Sequence, residues 1–511
     1  MRRGLCALAF ALCAGGSARG AVWPKPRSAQ IGQQTAYFAT VQFRDTSPNQ
    51  TPELHRAFKR YEALILTHPA EAATGSKGTL YVEVHSFSAG QMNVAMHEAY
   101  QMSVDNDAVG KDTKVLVKAQ TFIGALRALE TLSQLTRFDF DKRAYRMDGL
   151  PMAFDDGPRF QHRGALIDTA RHFLPLSSIY AVLDSLSYAK MNVLHWHMVD
   201  SQSFPVSFPS HAELAREGAF SPSELYDVED LKSVVAYARD RGIRVMAELD
   251  SPMHTASWCG GQPGICPDPE ACPEPLDVSK EETFKVIGDL FDDIRGIFPD
   301  GMLHIGGDEV KMDCWNQSAS ITAWRDEKGF SLDDAYHYFT NRVIAMAMER
   351  GYTVVGWDEM WKHFGTTLPR STVIQNWNMG NQTDVTNAGY RVLYTSFWHW
   401  YLDHTDTTWQ DAYAANPAEG VANGVKVLGG EGALWGEYVD ASDLMATLWP
   451  RLGAIAERLW SVDGATRDLD DAEQRLADFR CLLNRRGIPA APLNNSIARE
   501  EPPGPGDCAG Q

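Results

Sequence analysis

From residue 160 onward the chain repeats one pattern: a short apolar run without polar alternation, then a longer stretch with apolar residues three and four apart. The runs lie at 165–168, 192–198, 243–249, 302–305, 353–357, 373–377, 392–396 and 426–429. Such runs read as strands buried on both faces, and the long connections between them demand crossovers. The intervening segments at 179–188, 228–239, 284–297, 333–348 and 444–459 carry helical spacing. Eight strand candidates joined in this way predict an α/β fold, a (β/α)8 barrel of the TIM type. The fifth and sixth runs stand too close for a full crossover helix, so a short helix or none is expected there.

A different pattern precedes the barrel. Residues 51–68 have helical spacing (Leu54, Phe58, Tyr61, Leu64), and 80–85 and 114–118 alternate like strands. Residues 122–135 place Ile123, Leu126, Leu129, Leu132 and Leu135 on one stripe. Strands followed by a helix predict a small α+β support domain over 21–158, with the catalytic barrel at 159–495. Residues 472–486 look helical, and the tail at 496–511 is rich in proline and glycine from Pro502.

Composition narrows the setting. The 511 residues carry a net charge of −19 with no basic stripe, which excludes nucleic acid as a partner. So acidic a chain repels itself less at mildly acidic pH, as in a lysosome, a vacuole or an acidic medium. Arg2 and Arg3 precede an apolar stretch from Leu5 to Ala14, and Ala18-Arg19-Gly20 supplies small residues before Ala21. That is the layout of a secretory signal peptide over 1–20. No later stretch reaches the length of a transmembrane span. Removing the leader takes Cys6 and Cys13 and leaves Cys259, Cys266, Cys272, Cys314, Cys481 and Cys508. An even set in a secreted chain implies three disulfides, with 15 connectivities open. No Cys-x-x-Cys or paired-histidine spacing supports zinc, so neither a metal nor a cofactor is expected. Sequons at Asn49, Asn316, Asn381 and Asn494 fit the same route.

The densest chemistry lies at Leu303-His304-Ile305-Gly306-Gly307-Asp308-Glu309. A buried strand ending in two glycines turns sharply and lets a ligand approach. Two adjacent carboxylic acids there push their pKa values apart, so that one stays ionised while the other holds a proton. Hydrolysis of a glycosidic bond asks for that pair. In a barrel the chemistry sits at the C-terminal strand ends. Those ends carry Arg171 or His172, Asp200, Asp250 with His254, Asp308-Glu309, Trp357-Asp358-Glu359, Trp377, Tyr401, and Trp435 with Glu437. Indoles pack against the C–H faces of a sugar ring, and carboxylates take its hydroxyls. Asp200 and Glu437 suit the second task, Arg163 can donate two bonds, and Asp250 with His254 forms a dyad that tunes a neighbouring acid.

A set of segments extends the picture: His162-Arg163-Gly164 through Asp168-Thr169-Ala170-Arg171-His172, His195-Trp196-His197-Met198-Val199-Asp200, Asp250 to His254, His304 to Val310 with Cys314-Trp315, and Leu434-Trp435-Gly436-Glu437-Tyr438. Near the end stand Trp449-Pro450-Arg451 and Ala456-Glu457-Arg458-Leu459-Trp460. With them the chain resembles the β-N-acetylhexosaminidases of glycoside hydrolase family 20, in their eukaryotic lysosomal, vacuolar and secreted forms. The likeness spans nearly the whole mature sequence, including Glu98-Ala99-Tyr100 and Gly124-Ala125-Leu126-Arg127 of the first domain.

The resemblance implies an exo-acting, retaining hydrolase of N-acetylated oligosaccharides or glycoconjugates in which the substrate's own acetamido oxygen attacks the anomeric carbon. Glu309 is then the acid and later the base. Asp308 holds the acetamido N–H, Tyr401 its oxygen, and Trp357, Trp377 and Trp435 enclose its methyl. Arg163, Asp200 and Glu437 take ring hydroxyls, and Asp250 and His254 tune Glu309. It also implies the disulfides Cys272–Cys314 and Cys481–Cys508, leaving Cys259–Cys266, and it allows a homodimer. Three departures stand out: barrel logic favours Arg171 over Arg163, Ser201 replaces an acid common in relatives, and Met253 replaces a glycine. Two other readings remain: a non-catalytic N-acetyl-sugar-binding protein on the same fold, and a barrel glycosidase with a covalent carboxylate intermediate.

Overall fold

The computed structural model describes residues 22–69, 78–107, 112–378, 382–422, 424–493 and 504–505. The expected signal peptide, the sequons Asn381 and Asn494, the partner Cys508 and most of the tail lie outside the described residues. The other two disulfides, Cys259–Cys266 and Cys272–Cys314, are formed. Asn49 and Asn316 are exposed.

The first layer is a six-stranded sheet in the order β1-β2-β4-β3-β6-β5: β1 Ser28–Asp45, β2 Gly78–Ser88, β3 Tyr100–Asn106, β4 Thr113–Thr121, β5 Arg137–Asp139 and β6 Ala144–Asp156. The helices Pro52–Ile65 and Phe122–Leu135 pack on it, each started by a threonine (Thr51, Thr121) whose side chain accepts a backbone N–H of the first turn. All of Phe122–Leu135 is buried, not only the predicted stripe. Its far side meets the barrel, where Arg127 donates to Arg241 O and Gly242 O and Gln134 donates to Tyr188 O.

The second unit is a closed eight-stranded parallel barrel of β7 His162–Asp168, β8 Val193–His197, β9 Arg244–Glu248, β10 Met302–His304, β11 Thr353–Trp357, β12 Val373–Asn376, β13 Arg391–Tyr394 and β14 Val427–Leu434. Every predicted run overlaps one of these strands. Between β11 and β12 run the short helix Asp358–Phe364 and a 3-10 turn at Gly365–Thr367, as the spacing required. The predicted helix at 444–459 is two, Leu444–Leu448 and Arg451–Trp460, because Pro450 cannot supply an N–H within a helix. β14 runs five residues past the predicted end. Gly429, at φ +141, lets the chain lie against His162 O, where a Cβ would collide, so the glycines close the barrel instead of ending the strand.

The interior is layered. Val193, Met246, Met302, Val355, Val373, Leu393 and Leu428 form an apolar plug. Fully buried His162, His195, Glu248, His304, Gln375 and Glu431 make a polar tier, and Leu166, Trp357, Tyr401 and Ala433 lie at the C-terminal mouth.

One expected site residue is at the wrong end. Arg163 is the second residue of β7, about 16 Å below Asp168 at the usual strand rise. It shares the outward face with Ala165 and Ile167, which pack against the surrounding helices. Its guanidinium is buried, bonding Glu98 Oε2 (2.6 Å), Phe160 O (2.9 Å) and Lys190 O (3.0 Å). Glu98 also accepts from Arg127 and Asn192, and the two arginines, against the opposing effect of burial, hold its carboxyl below the usual range. Arg163 therefore joins the first layer to the barrel floor and reaches no ligand at the mouth.

Candidate active site

The turn after β10 is built on strained backbone. Gly306 and Gly307 lie at φ +68 and +89, and Glu309 itself at +52. Asp250 makes this turn: its Oδ1 accepts Gly307 N–H at 3.0 Å and fills the space a Cβ on Gly306 would need. Tyr336 donates to Gly307 O at 2.6 Å from the far side. The result points two adjacent carboxyls into one space, with Asp308 almost buried and Glu309 half exposed.

His254, also at positive φ (+61), faces both. Its Nε2 is 3.6 Å from Asp308 Oδ2 and 3.6 Å from Glu309 Oε2, and its Nδ1 is 3.3 Å from Asp200 Oδ1. Burial opposes the imidazolium, but Asp308 and Asp200 outweigh it and raise the His254 pKa to about 9. The dyad partner of His254 is thus Asp200, not the expected Asp250. Burial, Asp308 and Glu248 push Asp250 well above the carboxylate range, so it stays protonated and shapes the turn. Asp308 is also raised, chiefly by burial, with His254 pulling the other way.

Asp200 has no side free for a sugar hydroxyl. His197 Nε2 and Arg171 Nη2 lie 2.9 and 2.8 Å from its Oδ2, and His254 faces the other oxygen. Arg171 stands where Arg163 was expected: its Nη1 is 2.8 Å from Asp168 and 3.6 Å from Glu437, and its guanidinium lies over Trp435 at 5.2 Å. Glu437 is open to solvent.

The aromatic wall is assembled as expected. Trp357 and Trp435 have centroids 5.9 Å apart, Tyr401 lies 6.1 Å from Trp435, and Trp377 stacks on Tyr401 at 5.9 Å. Phe397 closes the group, 5.2 Å from Tyr401. Trp377 donates to Glu359 at 2.8 Å, and burial with the nearby Asp308 raises that carboxyl to about 8.

Residues 160–463 match the model for glycosyl hydrolase family 20, catalytic domain, and residues 22–135 match the one described as beta-acetyl hexosaminidase like. The chain belongs to glycosyl hydrolase family 20. This family 20 hydrolase is 39% identical to Beta-hexosaminidase 1 of Arabidopsis thaliana, over 96% of this chain and 94% of that one. It is 36% identical to Beta-hexosaminidase subunit alpha of Mus musculus, over 94% and 95%. In fold it resembles the Streptomyces plicatus N-acetyl-beta-hexosaminidase in complex with Thio-NAglucal (TM-score 0.74, 22% identity, 93% and 97% covered).

Sequence reasoning left two acids of this family 20 site without a role. Glu359 stood among the strand-end residues but was given no task. Asp403, half-buried near Trp435 and Glu437 and raised mainly by burial, was missed; the signal was its place two residues after Tyr401, where the chain bridges to Ala433. Asp250, His254 and Asp308 bring donor atoms within 4.8 Å of one another, a spacing a divalent cation accepts.

Proposed function

We propose that this family 20 hydrolase is an exo-acting, retaining β-N-acetylhexosaminidase that uses the substrate's acetamido group as nucleophile. One observation carries the reading: Asp308 and Glu309 flank a single imidazolium, and Asp308 lies close to Tyr401 in the aromatic wall. The acetamido oxygen attacks C1 as Glu309 gives its proton to the glycosidic oxygen, the aglycone departs, and an oxazolinium ion remains. Asp308 accepts the acetamido N–H and offsets the charge that develops there. Water then attacks C1, Glu309 takes its proton, and the acetamide is restored with retained configuration.

The side chains divide accordingly. His254 opposes the burial that favours the neutral acid at Asp308, and Asp200 holds His254 in place. Trp357, Trp377 and Trp435 enclose the methyl, and Tyr401 donates to the acetamido oxygen. Arg171, Asp403 and Glu437 take the ring hydroxyls. The leader-like N-terminus, the disulfides and the exposed sequons support a secretory route, and among the described residues no helix is long and apolar enough to cross a membrane.

The test is a matched pair of aryl β-glycosides that differ only in 2-acetamido against 2-hydroxy. A 2-hydroxy substrate leaves Asp308 and Tyr401 unpaired and has no nucleophile, so only the N-acetyl compound is expected to turn over. Equal rates on the two would refute the mechanism.

A further inference from the structure

Beneath the site the barrel interior holds a carboxylate that touches two working groups at once. Glu248 ends β9 and is fully buried. Its Oε1 accepts the indole N–H of Trp357 at 3.0 Å, and its Oε2 accepts from His197 Nδ1 at 2.6 Å. His304 Nδ1 and His195 Nε2 complete its surroundings at 2.8 and 3.1 Å. Burial opposes the charge, but His304, His197 and His195 hold the carboxyl well below its ordinary range, so it is an anion. From His197 the bonds continue to Asp200 and on to His254.

We propose that Glu248 is a positioning residue that sets the size of the N-acyl group the site accepts, by tying the indole N–H of Trp357. The inference rests on the N-acetylhexosaminidase reading above. Trp357 is 1% exposed, and Nε1 is the polar atom of its ring. With that atom bonded to Glu248, the ring is held between His304 at 4.7 Å and Trp435 at 5.9 Å, and on the reading above its face meets the acetamido methyl. A tilt of the ring would leave a buried N–H unpaired. Only an anion serves both arms. A glutamine offers one accepting oxygen, and the charge-assisted bond from His197, held largely protonated against burial chiefly by Glu248, claims it. The amide NH2 then faces the indole N–H, donor against donor, and the ring is released.

The experiment compares kcat/KM on aryl glycosides of N-acetyl- and N-propionyl-glucosamine for the parent enzyme and Glu248→Gln. The N-propionyl to N-acetyl ratio is expected to rise at least about fivefold, since one methylene in an apolar pocket commands discrimination of that order. In the background of Trp357→Phe, which lacks the N–H, adding Glu248→Gln is expected to leave the ratio where the single variant puts it. An unchanged ratio in folded Glu248→Gln, with both substrates losing rate equally, overturns the proposal, because a merely structural carboxylate lowers both alike. Should Glu248→Gln not fold, Glu248→Asp is read instead. It keeps the buried charge but withdraws it by one carbon from the indole, and the same rise is expected and the same null result refutes. A parent enzyme inactive on N-acetyl glycosides overturns the functional reading itself, a failure seen before any variant is assayed.

Discussion

Replacing Gly306 by alanine tests whether the turn after β10 places the catalytic carboxyls. The residue lies at φ +68, where an L side chain costs roughly 1–2 kcal/mol. The new Cβ falls on the Asp250 carboxyl, so either the turn or Asp250 must move. Moving Asp250 breaks its bond from Gly307 N–H and leaves a buried group unpaired, costing about 1–3 kcal/mol. The stability loss is therefore about 2–5 kcal/mol. Asp308 and Glu309 follow directly, and a displacement of about 1 Å in such a pair costs on the order of 100-fold in rate. The assay is kcat/KM on an aryl N-acetylglucosaminide, with thermal melting alongside. Gly301→Ala is the control, since a Cβ there meets nothing within 4 Å. Activity of Gly306→Ala within about threefold of the control would refute the claim that this backbone positions the acid.

Other substitutions separate roles. Glu309→Gln should lose turnover of alkyl glycosides far more than of nitrophenyl glycosides, whose leaving oxygens need little proton donation; equal losses across a leaving-group series would remove it as the acid. Arg171→Met should lower kcat/KM about 100-fold, from charged hydrogen bonds together worth about 3 kcal/mol. Arg163→Met should leave KM unchanged yet destabilise the fold by about 2–4 kcal/mol, because Glu98 loses one of two buried cations; kinetics and denaturant melts on both variants check the assignment. His254 has a folded pKa of about 9 against 6.5 unfolded, so its stabilising share is complete below about pH 6.5 and lost as pH rises through 9. His195, raised to about 9 by Glu431 and Glu248 against burial, adds a loss of the same sign. Melting temperatures across that window should fall for the parent and fall less for His254→Gln; parallel curves would show that His254 is not charged in the fold.

The barrel strands were legible because a strand buried on both faces has no polar alternation to hide it, and the catalytic turn because two glycines before two acids suit little else. The misreadings have separate causes. Arg163 stands at the start of the first barrel strand, away from the chemistry, and it was the family likeness, not the strand pattern, that carried it to the sugar. Ending β14 at Gly429 hid the polar tier that Glu431 completes. In the first layer, β1 escaped because most of its first half is exposed, which leaves no apolar alternation to read. Partner choice was least accessible: His254 turns to Asp200, in the loop after β8, not to Asp250 four residues away, and only the pairing of β8 with β9 brings those loops together.

The helix Phe122–Leu135 has no wet side. It acts as a keel clamped between two hulls, so neither half of the molecule can be trimmed away without baring an oily seam. A catalytic fragment begun near residue 159 would expose that seam along with an orphaned Arg163, and would be expected to clump. The small leading layer is therefore part of the enzyme's architecture, and limited proteolysis should find no early cut between the two.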